Sequence, residues 1–232
     1  MVSGRVLDLL KNNTLRNNLI HHRFFDAIRT GQLTRSDVAL FLGQWWHPLH
    51  YFPDFLSRCI AVVPTLETRS AICAILFQEL GEGDPAGAHE RVYLETMAAA
   101  GFSEKEIAEA QPFESTRNLV QGYKRASTEE TSALGFVYGT EVADLAMVSG
   151  IGAAVRQVSG LKNLPWVDIH VLQEPNHVDK AGDALQPELA GNDFERVVAS
   201  AEEMWRLWIG FFSELNDVFD SKNAVQRIRA TA

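Results

Sequence analysis

The chain has 232 residues, of which 46% are hydrophobic and 22% are charged. This composition is typical of a globular protein and is sufficient for one large domain, which we expect to span residues 1–232. The 30 acidic side chains outnumber the 21 basic ones, so that the net charge is −9. An acidic chain without a basic tract argues against nucleic acids and anionic membrane surfaces as partners.

The sequence has no stretch that predicts a membrane span or a secretory leader. The first residues, MVSGRVLDLLKNN, lack the apolar core of a signal peptide, and no run is long enough to predict a bilayer span. We therefore expect a cytoplasmic protein that does not contact a membrane. Cys59 and Cys73 lie in apolar stretches without metal-binding spacing, which predicts two buried, reduced thiols.

The first strong helix signal is a capping box formed by Thr34 and Asp37. The apolar run VALFLGQWW follows it, so the sequence predicts a helix here. Pro48 and Pro53 lack a backbone N–H donor, and we expect them to bend or interrupt this helix over residues 47–54.

Four later segments also have the pattern of helices. Glycine and proline mark the break GEGDPAG at residues 81–87, and capping boxes at Ser103 and Ser127 predict two helix starts. The predicted segments run from about 67 to 80, from 85 to 101, from 103 onward, and from 127 to about 158.

The C-terminal segment has the clearest helical periodicity. Its apolar residues recur at three- and four-residue spacing, which places them on one face of a helix. We interpret this aromatic stripe as core packing and not as a cofactor site. No segment is convincing as a strand, so the predicted fold class is all-α. The stripe comprises Phe194, Val197, Val198, Ala201, Met204, Trp205, Trp208, Phe212 and Leu215.

Six side chains of metal-binding type occur in a distinctive order along the chain. Carboxylates and imidazoles are the ligands that paired iron or manganese ions prefer. Buried ionisable groups are costly unless they are paired or bound to a metal. The six predicted ligands are Glu79, His89, Glu141, His170, Glu174 and His177.

The neighbouring residues indicate whether each of the six is a metal ligand or an ordinary polar side chain. Glu79 interrupts the apolar run AICAILFQEL, and Glu141 lies among the small and apolar residues of LGFVYGTEVADLAMV. His89 can meet Glu79 only if the chain turns back at the glycine-rich break, and by itself fits a structural role. Asp144, one turn after Glu141, is suited to hold a ligand histidine.

The most specific element is the stretch from His170 to His177. His170, Glu174 and His177 lie at i, i+4 and i+7, which places all three on one face of a continuous helix. Pro175 disfavours helical geometry at Glu174, so this stripe is either kinked or begins its regular helix near the proline. We expect this segment to be the least ordered part of the site.

A second cluster of aromatic and polar residues lies on the helix with two prolines. It fits a substrate pocket and core packing equally well. The predicted substrate-binding residues are Trp45, Trp46, His50, Asp54 and, close to Glu141, Tyr138. His21 and His22 are expected to be structural or exposed.

The ligand order resembles that of the haem-oxygenase-like di-iron oxidases. The shared pattern is Glu, ten residues later His, then Glu, then His-x-x-x-acid-x-x-His, and FLGQWWHPLHYFPDFL is similar to that family's first core helix. The resemblance covers residues 20–215. It implies a haem-oxygenase-like helical bundle of about seven or more helices, in which the six residues hold two Fe²⁺ (or Mn) ions. The family usually has Asp where this chain has Glu174.

The resemblance also implies an activity. The implied activity is that of an O₂-dependent non-haem di-iron oxidase or oxygenase that acts on an amino acid or an amine derived from one. The implied reactions are N-oxygenation or oxidative C–C cleavage, including nitrile or alkene formation, in natural-product biosynthesis. The implied partners are a small-molecule substrate, O₂ as co-substrate and an external electron donor, and a homodimer is compatible with the sequence.

Several alternatives stay open on the sequence alone. Metal-independent thiaminase-like or pyrroloquinoline-quinone-synthase-like enzymes share the fold, although neither Cys59 nor Cys73 has the setting of a thiaminase-like nucleophile. A fatty-acid decarboxylase would use the same metal ligands. Haem degradation would need His21 or His22 as axial ligand, and a non-catalytic helical protein would have no buried acid–histidine cluster. A ferritin-like site is disfavoured because only one Glu-x-x-His motif is present, and a lone zinc would leave half of the ligands unused.

Overall fold

The computed structural model describes residues 9–31, 33–172 and 192–231. These ranges are helical and contain no strand, which confirms the predicted all-α class. A 3-10 turn at Pro85–Gly87 precedes the fifth helix. In chain order the helices are α1 Thr14–Ile20, α2 Arg23–Arg29, α3 Arg35–Val62, α4 Leu66–Glu79, α5 His89–Ala99, α6 Glu104–Ala108, α7 Glu114–Ala126, α8 Glu130–Ser159, α9 over 165–172, and α10 Asn192–Thr231.

Helix α3 continues through both of its prolines. It begins at the predicted capping box, in which Thr34 accepts a hydrogen bond from the Asp37 N–H and the Asp37 carboxylate accepts one from the Thr34 N–H. Of the two predicted outcomes over residues 47–54, an interruption is therefore wrong, and a bend stays a prediction. Phe55, beyond the second proline, is fully buried, and we attribute the unbroken helix to packing that outweighs the lost backbone hydrogen bonds.

Most other predicted helix boundaries agree with the structure, and α8 is an exception. Its N-terminal cap is Glu129, whose side chain accepts a hydrogen bond from the Ser132 N–H. Ser127, the predicted cap, instead ends α7. Helix α7 was not among the predicted segments because charged and polar residues dominate its sequence and leave only a narrow apolar stripe.

The core is centred on the packing of α8 against α10. Gly135 permits this approach, because a β-carbon there would lie 2.5 Å from the carbonyl oxygen of Val197. A hydrogen bond also joins the two helices: the Trp205 indole N–H of α10 donates to the Gly139 carbonyl oxygen of α8 at 2.9 Å. The predicted aromatic stripe of α10 lies in this core, with Val197, Ala201, Met204, Trp205, Trp208, Phe212 and Leu215 buried.

Helix α8 is long and apolar enough to cross a membrane by those two criteria alone, which corrects the prediction that the chain contains no such run. In the structure, 72% of the apolar stretch is buried inside the protein. The helix packs against α10 and α3. Its apolar character therefore matches that of a core helix.

The two cysteines differ in their surroundings. Cys59 on α3 is buried, as predicted, and burial raises the pKa of its thiol. Cys73 on α4 is exposed, so the prediction of a buried thiol is wrong for this residue. The reason is its direction on the helix, because Ile72 and Ile75 of the same helix take the buried positions.

Candidate metal centre

Three of the predicted ligands meet inside the helical bundle. One donor atom each from Glu79, His89 and His170 lies within 4.8 Å of the others. Glu79 Oε2 lies 3.0 Å from His89 Nδ1, and the two imidazole rings have centroids 4.8 Å apart. Glu79, His89 and His170 are 9%, 3% and 7% exposed. Ionisable groups are seldom this buried without a partner or a metal.

A tight turn brings Glu79 and His89 together. Glu79 is the last residue of α4 and His89 is the first residue of α5. Between them, residues 81–83 all have positive φ angles, from 55° to 96°. A β-carbon on Gly81 would lie 2.2 Å from the carbonyl oxygen of Asp84, so this position requires glycine. The chain turns back at GEGDPAG, as a shared site requires.

A backbone hydrogen bond orients His170 toward the cluster. Its Nδ1 lies 2.7 Å from the carbonyl oxygen of Trp166. A carbonyl oxygen only accepts, so Nδ1 carries the hydrogen, and in the neutral imidazole Nε2 keeps its lone pair. Metal-ligating histidines are typically fixed in this way. The Trp166 N–H in turn donates to Thr96 Oγ1 at 3.1 Å, which ties α9 to α5.

The donor set of this cluster fits an iron or manganese ion. Two imidazoles and one carboxylate match the ligand preference of these metals. Metal–ligand bonds of about 2.1 Å at roughly right angles place neighbouring donor atoms about 3 Å apart. The 3.0 Å between Glu79 Oε2 and His89 Nδ1 has this size.

A cavity of about 50 Å³ borders the cluster. Glu141, which is 3% exposed, lines this cavity together with Glu79 and His170. A fourth predicted ligand thus borders the same space. Glu174 and His177 lie outside the described residues, and their ligation stays a prediction. The other lining residues are Trp45, Pro48, Leu49, Phe52, Tyr123, Thr140, Asp144, Trp166 and Trp208.

The predicted substrate-binding residues of α3 lie on two faces of the helix. Trp45 lines the cavity with Leu49 and Phe52, which follow it at i+4 and i+7. Trp46 and His50 lie one position further on, about 100° around the helix, and Asp54 follows His50 at i+4. None of these three is among the lining residues. Trp46 stacks on the His50 ring with centroids 5.0 Å apart, and His50 and Asp54 are exposed.

Tyr138, the remaining predicted substrate contact, lies in the core. It is fully buried and is not among the residues that line the cavity. It precedes Glu141 by three positions on α8, yet only Glu141 reaches the cavity wall. Substrate contact by Tyr138, Trp46, His50 and Asp54 stays a prediction without support from the cavity geometry.

The hydroxyl groups of the cavity wall were not predicted from the sequence. Tyr123 Oη lies 2.8 Å from Thr140 Oγ1 and accepts a hydrogen bond from Trp208 Nε1 at 3.2 Å. Burial raises the pKa of Tyr123, its hydrogen bonds with Thr140 and Trp208 act in the opposite direction, and the carboxylates of Asp144 and Glu141 raise it further. A possible signal was the position of Thr140 beside Glu141.

The other side chains considered for catalysis lie away from the cavity. Neither cysteine lines it, and the raised pKa of Cys59 is opposite to what a nucleophilic thiolate requires. His22 caps α2, with Nδ1 accepting from the Phe24 N–H and Nε2 3.1 Å from Ser213 Oγ. His21 is exposed. These positions agree with the predicted structural roles of the two histidines.

Comparison with known sequences gives a family and a relative. A family model described as "Iron-containing redox enzyme" matches residues 39–209. The 4-chloro-allylglycine synthase of Streptantibioticus cattleyicolor is 24% identical over 177 residues, an alignment that covers 72% of this chain and 65% of the synthase. The chain therefore matches slightly less than two thirds of the length of this relative.

Solved structures share the fold at low sequence identity. A CADD-like protein of unknown function from Nostoc punctiforme has a TM-score of 0.76 and 12% identity, covering 94% of both chains. A domain of unknown function with a haem-oxygenase-like fold from Shewanella denitrificans has a TM-score of 0.66 and 16% identity, covering 94% of this chain and 90% of that one. These similarities concern the fold alone and confirm the predicted haem-oxygenase-like bundle.

Proposed function

The chain belongs to the family of iron-containing redox enzymes, and we propose that it is an O₂-dependent non-haem di-iron oxidase or oxygenase acting on an amino acid or an amine derived from one. The observation that carries this proposal is the buried cluster of Glu79, His89 and His170. A general helical interaction protein has no reason to bury these three groups together.

The proposed ligand set contains three carboxylates and three imidazoles. Glu79, His89 and His170 would hold one ion, and Glu141, on the wall of the same cavity, would contribute to a second with Glu174 and His177. Iron bound there supplies the activation of O₂. The carboxylates offset the charge of the ions, and the neutral imidazoles keep the net charge of the site moderate.

Three indoles form an aromatic part of the cavity wall. Trp45 packs edge-on against Trp166 with ring centroids 6.4 Å apart, and its centroid lies 4.9 Å from that of Trp208. All three indoles are at most 3% exposed. Apolar walls limit the water near a site, which strengthens the electrostatic interactions inside it and limits side reactions with solvent.

The similarity to the synthase supports the substrate class. By its name, that relative makes a chlorinated allylglycine, which is an amino acid. We infer the same class of substrate here, with N-oxygenation or oxidative C–C cleavage in natural-product biosynthesis as the reaction. An external electron donor, a cytoplasmic location and a homodimer are parts of the same proposal.

The proposal is tested by iron binding followed by O₂ uptake. Ferrous iron is titrated under argon into the metal-free protein, and we expect about two ions per chain. The loaded protein is then mixed with O₂ in the presence of L-allylglycine or each standard amino acid, while the visible spectrum and O₂ consumption are followed. Absence of stoichiometric iron binding, or O₂ consumption that no amino acid or amine accelerates, would contradict the proposal.

A further inference from the structure

A hydroxyl pair on the cavity wall has one more proton than its hydrogen bonds use. Tyr123 Oη and Thr140 Oγ1 are 2.8 Å apart, and Trp208 Nε1 lies 3.2 Å from the Tyr123 oxygen. An indole N–H only donates, so the Tyr123 oxygen accepts this bond. Of the two hydroxyl protons, one lies between the two oxygens. The other has no acceptor among the described residues.

The spare proton is available to the cavity because Thr140 does not bond to its own helix. Hydroxyls in helices commonly donate to the preceding turn, as Ser159 does to the Val155 carbonyl oxygen at 2.7 Å. Thr140 Oγ1 makes no such bond within the described chain, and its one hydrogen bond joins it to Tyr123. Both hydroxyl residues line the cavity and are at most 7% exposed.

Two residues that line the cavity carry further unused donors. The indole N–H groups of Trp45 and Trp166 have no hydrogen-bond acceptor within the described ranges, and both residues line the cavity. Buried donors without acceptors are rare in proteins. A ligand group that accepts several hydrogen bonds, as a carboxylate does, matches this surplus.

The acidic lining residues limit when a carboxylate can bind. Glu79, Glu141 and Asp144 line the same cavity, and no lysine or arginine is among the described lining residues. Like charges at short distance repel each other unless cations offset them. A carboxylate is therefore expected to bind the iron-loaded protein and to bind the metal-free protein poorly.

We propose that Tyr123 and Thr140 form a subsite for the carboxylate of an amino-acid substrate. This inference rests on the proposed function and extends it from the class of substrate to the residues that recognise it. Trp208 is a positioning residue, because its N–H occupies one lone pair of Tyr123 and fixes the phenol against the wall. The subsite selects an amino acid over the amine of the same skeleton.

The test compares L-allylglycine with but-3-en-1-amine, which is the same molecule without the carboxylate. Binding to the iron-loaded protein is measured under argon by isothermal titration calorimetry. In the wild type we expect the amino acid to bind about 10- to 100-fold more tightly than the amine. Tyr123→Phe and Thr140→Val should weaken amino-acid binding by about 10-fold or more and leave amine binding within about twofold. If a standard amino acid binds more tightly, that amino acid and its decarboxylated amine replace the pair.

Two variants elsewhere control for the loss of a buried hydroxyl. Tyr93 donates to the Leu42 carbonyl oxygen at 2.9 Å, and Thr116 donates to Gln44 Oε1 at 2.8 Å. Neither residue lines the cavity. Tyr93→Phe and Thr116→Val therefore lower stability without changing the preference for the amino acid over the amine.

Trp208→Phe should reduce this preference by less than Tyr123→Phe does.

The outcomes separate the subsite from the proposed function. If the wild type binds an amino acid and both hydroxyl variants keep its preference over the amine, the subsite is wrong and the proposed function stands. The subsite is also wrong if the Tyr93 and Thr116 controls lose the preference equally. If the iron-loaded wild type binds neither L-allylglycine nor any standard amino acid, the amino-acid part of the proposed function fails, and the subsite fails with it.

Discussion

Two carboxylate–imidazole pairs in this molecule have similar distances and opposite surroundings. Glu79 and His89 lie 3.0 Å apart with side chains 10% and 3% exposed, whereas Glu90 and His50 lie 2.7 Å apart with side chains 35% and 61% exposed. Water screens the exposed pair, which therefore contributes little stability. The buried pair has lost its hydration and depends on what surrounds it. Burial, and not distance, distinguishes a candidate metal ligand from a surface contact.

The largest expected difference between the two pairs is in iron binding. We expect His89→Gln to lower the affinity for Fe²⁺ by more than the roughly 10- to 100-fold that outer partners of metal ligands contribute. His50→Gln is the matched control and should leave the affinity unchanged. Competition with a coloured chelator under argon measures both values. Equal iron affinity in the two variants would remove His89 from the ligand set.

The turn that forms the buried pair gives the next largest effect. At Gly81, φ is 86° and a β-carbon would lie 2.2 Å from the Asp84 carbonyl oxygen. Gly81→Ala should destabilise the protein by at least the roughly 1–3 kcal/mol of a strained backbone and weaken iron binding. Urea unfolding and iron titration measure the two effects.

Gly101 is the control for this turn. Its φ is 88°, but a β-carbon there would have no atom within 4 Å. Gly101→Ala should therefore show the cost of a positive φ alone and leave iron binding unchanged. A Gly81→Ala protein that is as stable as Gly101→Ala and binds iron normally would show that the turn tolerates a side chain.

His47 provides an intermediate environment between the two pairs. Its Nε2 lies 2.9 Å from the Ala110 carbonyl oxygen, and burial lowers the pKa of His47 while that hydrogen bond acts in the opposite direction. The neutral His47 ring contributes fully to stability above its pKa in the unfolded chain, which is about 6.5. This contribution is lost as the pH falls through the lower pKa that His47 has in the folded protein. We expect His47→Gln to show a weaker loss of stability between pH 7 and pH 5, as measured by urea unfolding of the metal-free protein. Parallel stability–pH profiles of the wild type and His47→Gln would contradict this expectation.

The exposed pair itself should give the smallest effect. The coupling between Glu90 and His50 is expected to be about 0.2–1 kcal/mol and to decrease at high salt. A double-mutant cycle with Glu90→Gln and His50→Gln measures it by urea unfolding at pH 6. A coupling energy clearly above this range would mean that exposure does not weaken the pair as the comparison assumes.

The helices were predictable where capping residues or apolar periodicity in the local sequence indicate them. The capping boxes at Thr34 and Ser103 are both present, and the periodic stripe of α10 is core. Helix α7 was missed because its sequence is mainly polar, and the continuity of α3 across Pro48 was missed because tertiary packing overrides a local breaker. Local rules describe the ends of helices better than they describe what surrounds them.

The candidate site was predictable where a residue is out of place in its own segment. Glu79 drew attention as a carboxylate in an apolar run, and it lies in the cluster with His89. The contact between Tyr123 and Thr140 joins two helices, which no spacing along the chain reveals. Conversely, His50 was predicted from the density of aromatic and polar neighbours, but a position one residue further on turns outward on a helix.

The positions of the three clustered donors along the chain affect the stability of the folded protein. Glu79 and His89 come from the consecutive helices α4 and α5, whereas His170 comes from α9, 81 residues beyond His89. A bound ion would join these segments as a removable cross-link, and ion binding would add to the free energy of unfolding. At a free ion concentration of 100 times the dissociation constant, this gain is about 2.7 kcal/mol. The supply of iron would then set how much folded protein a cell retains, in addition to how much of it is active.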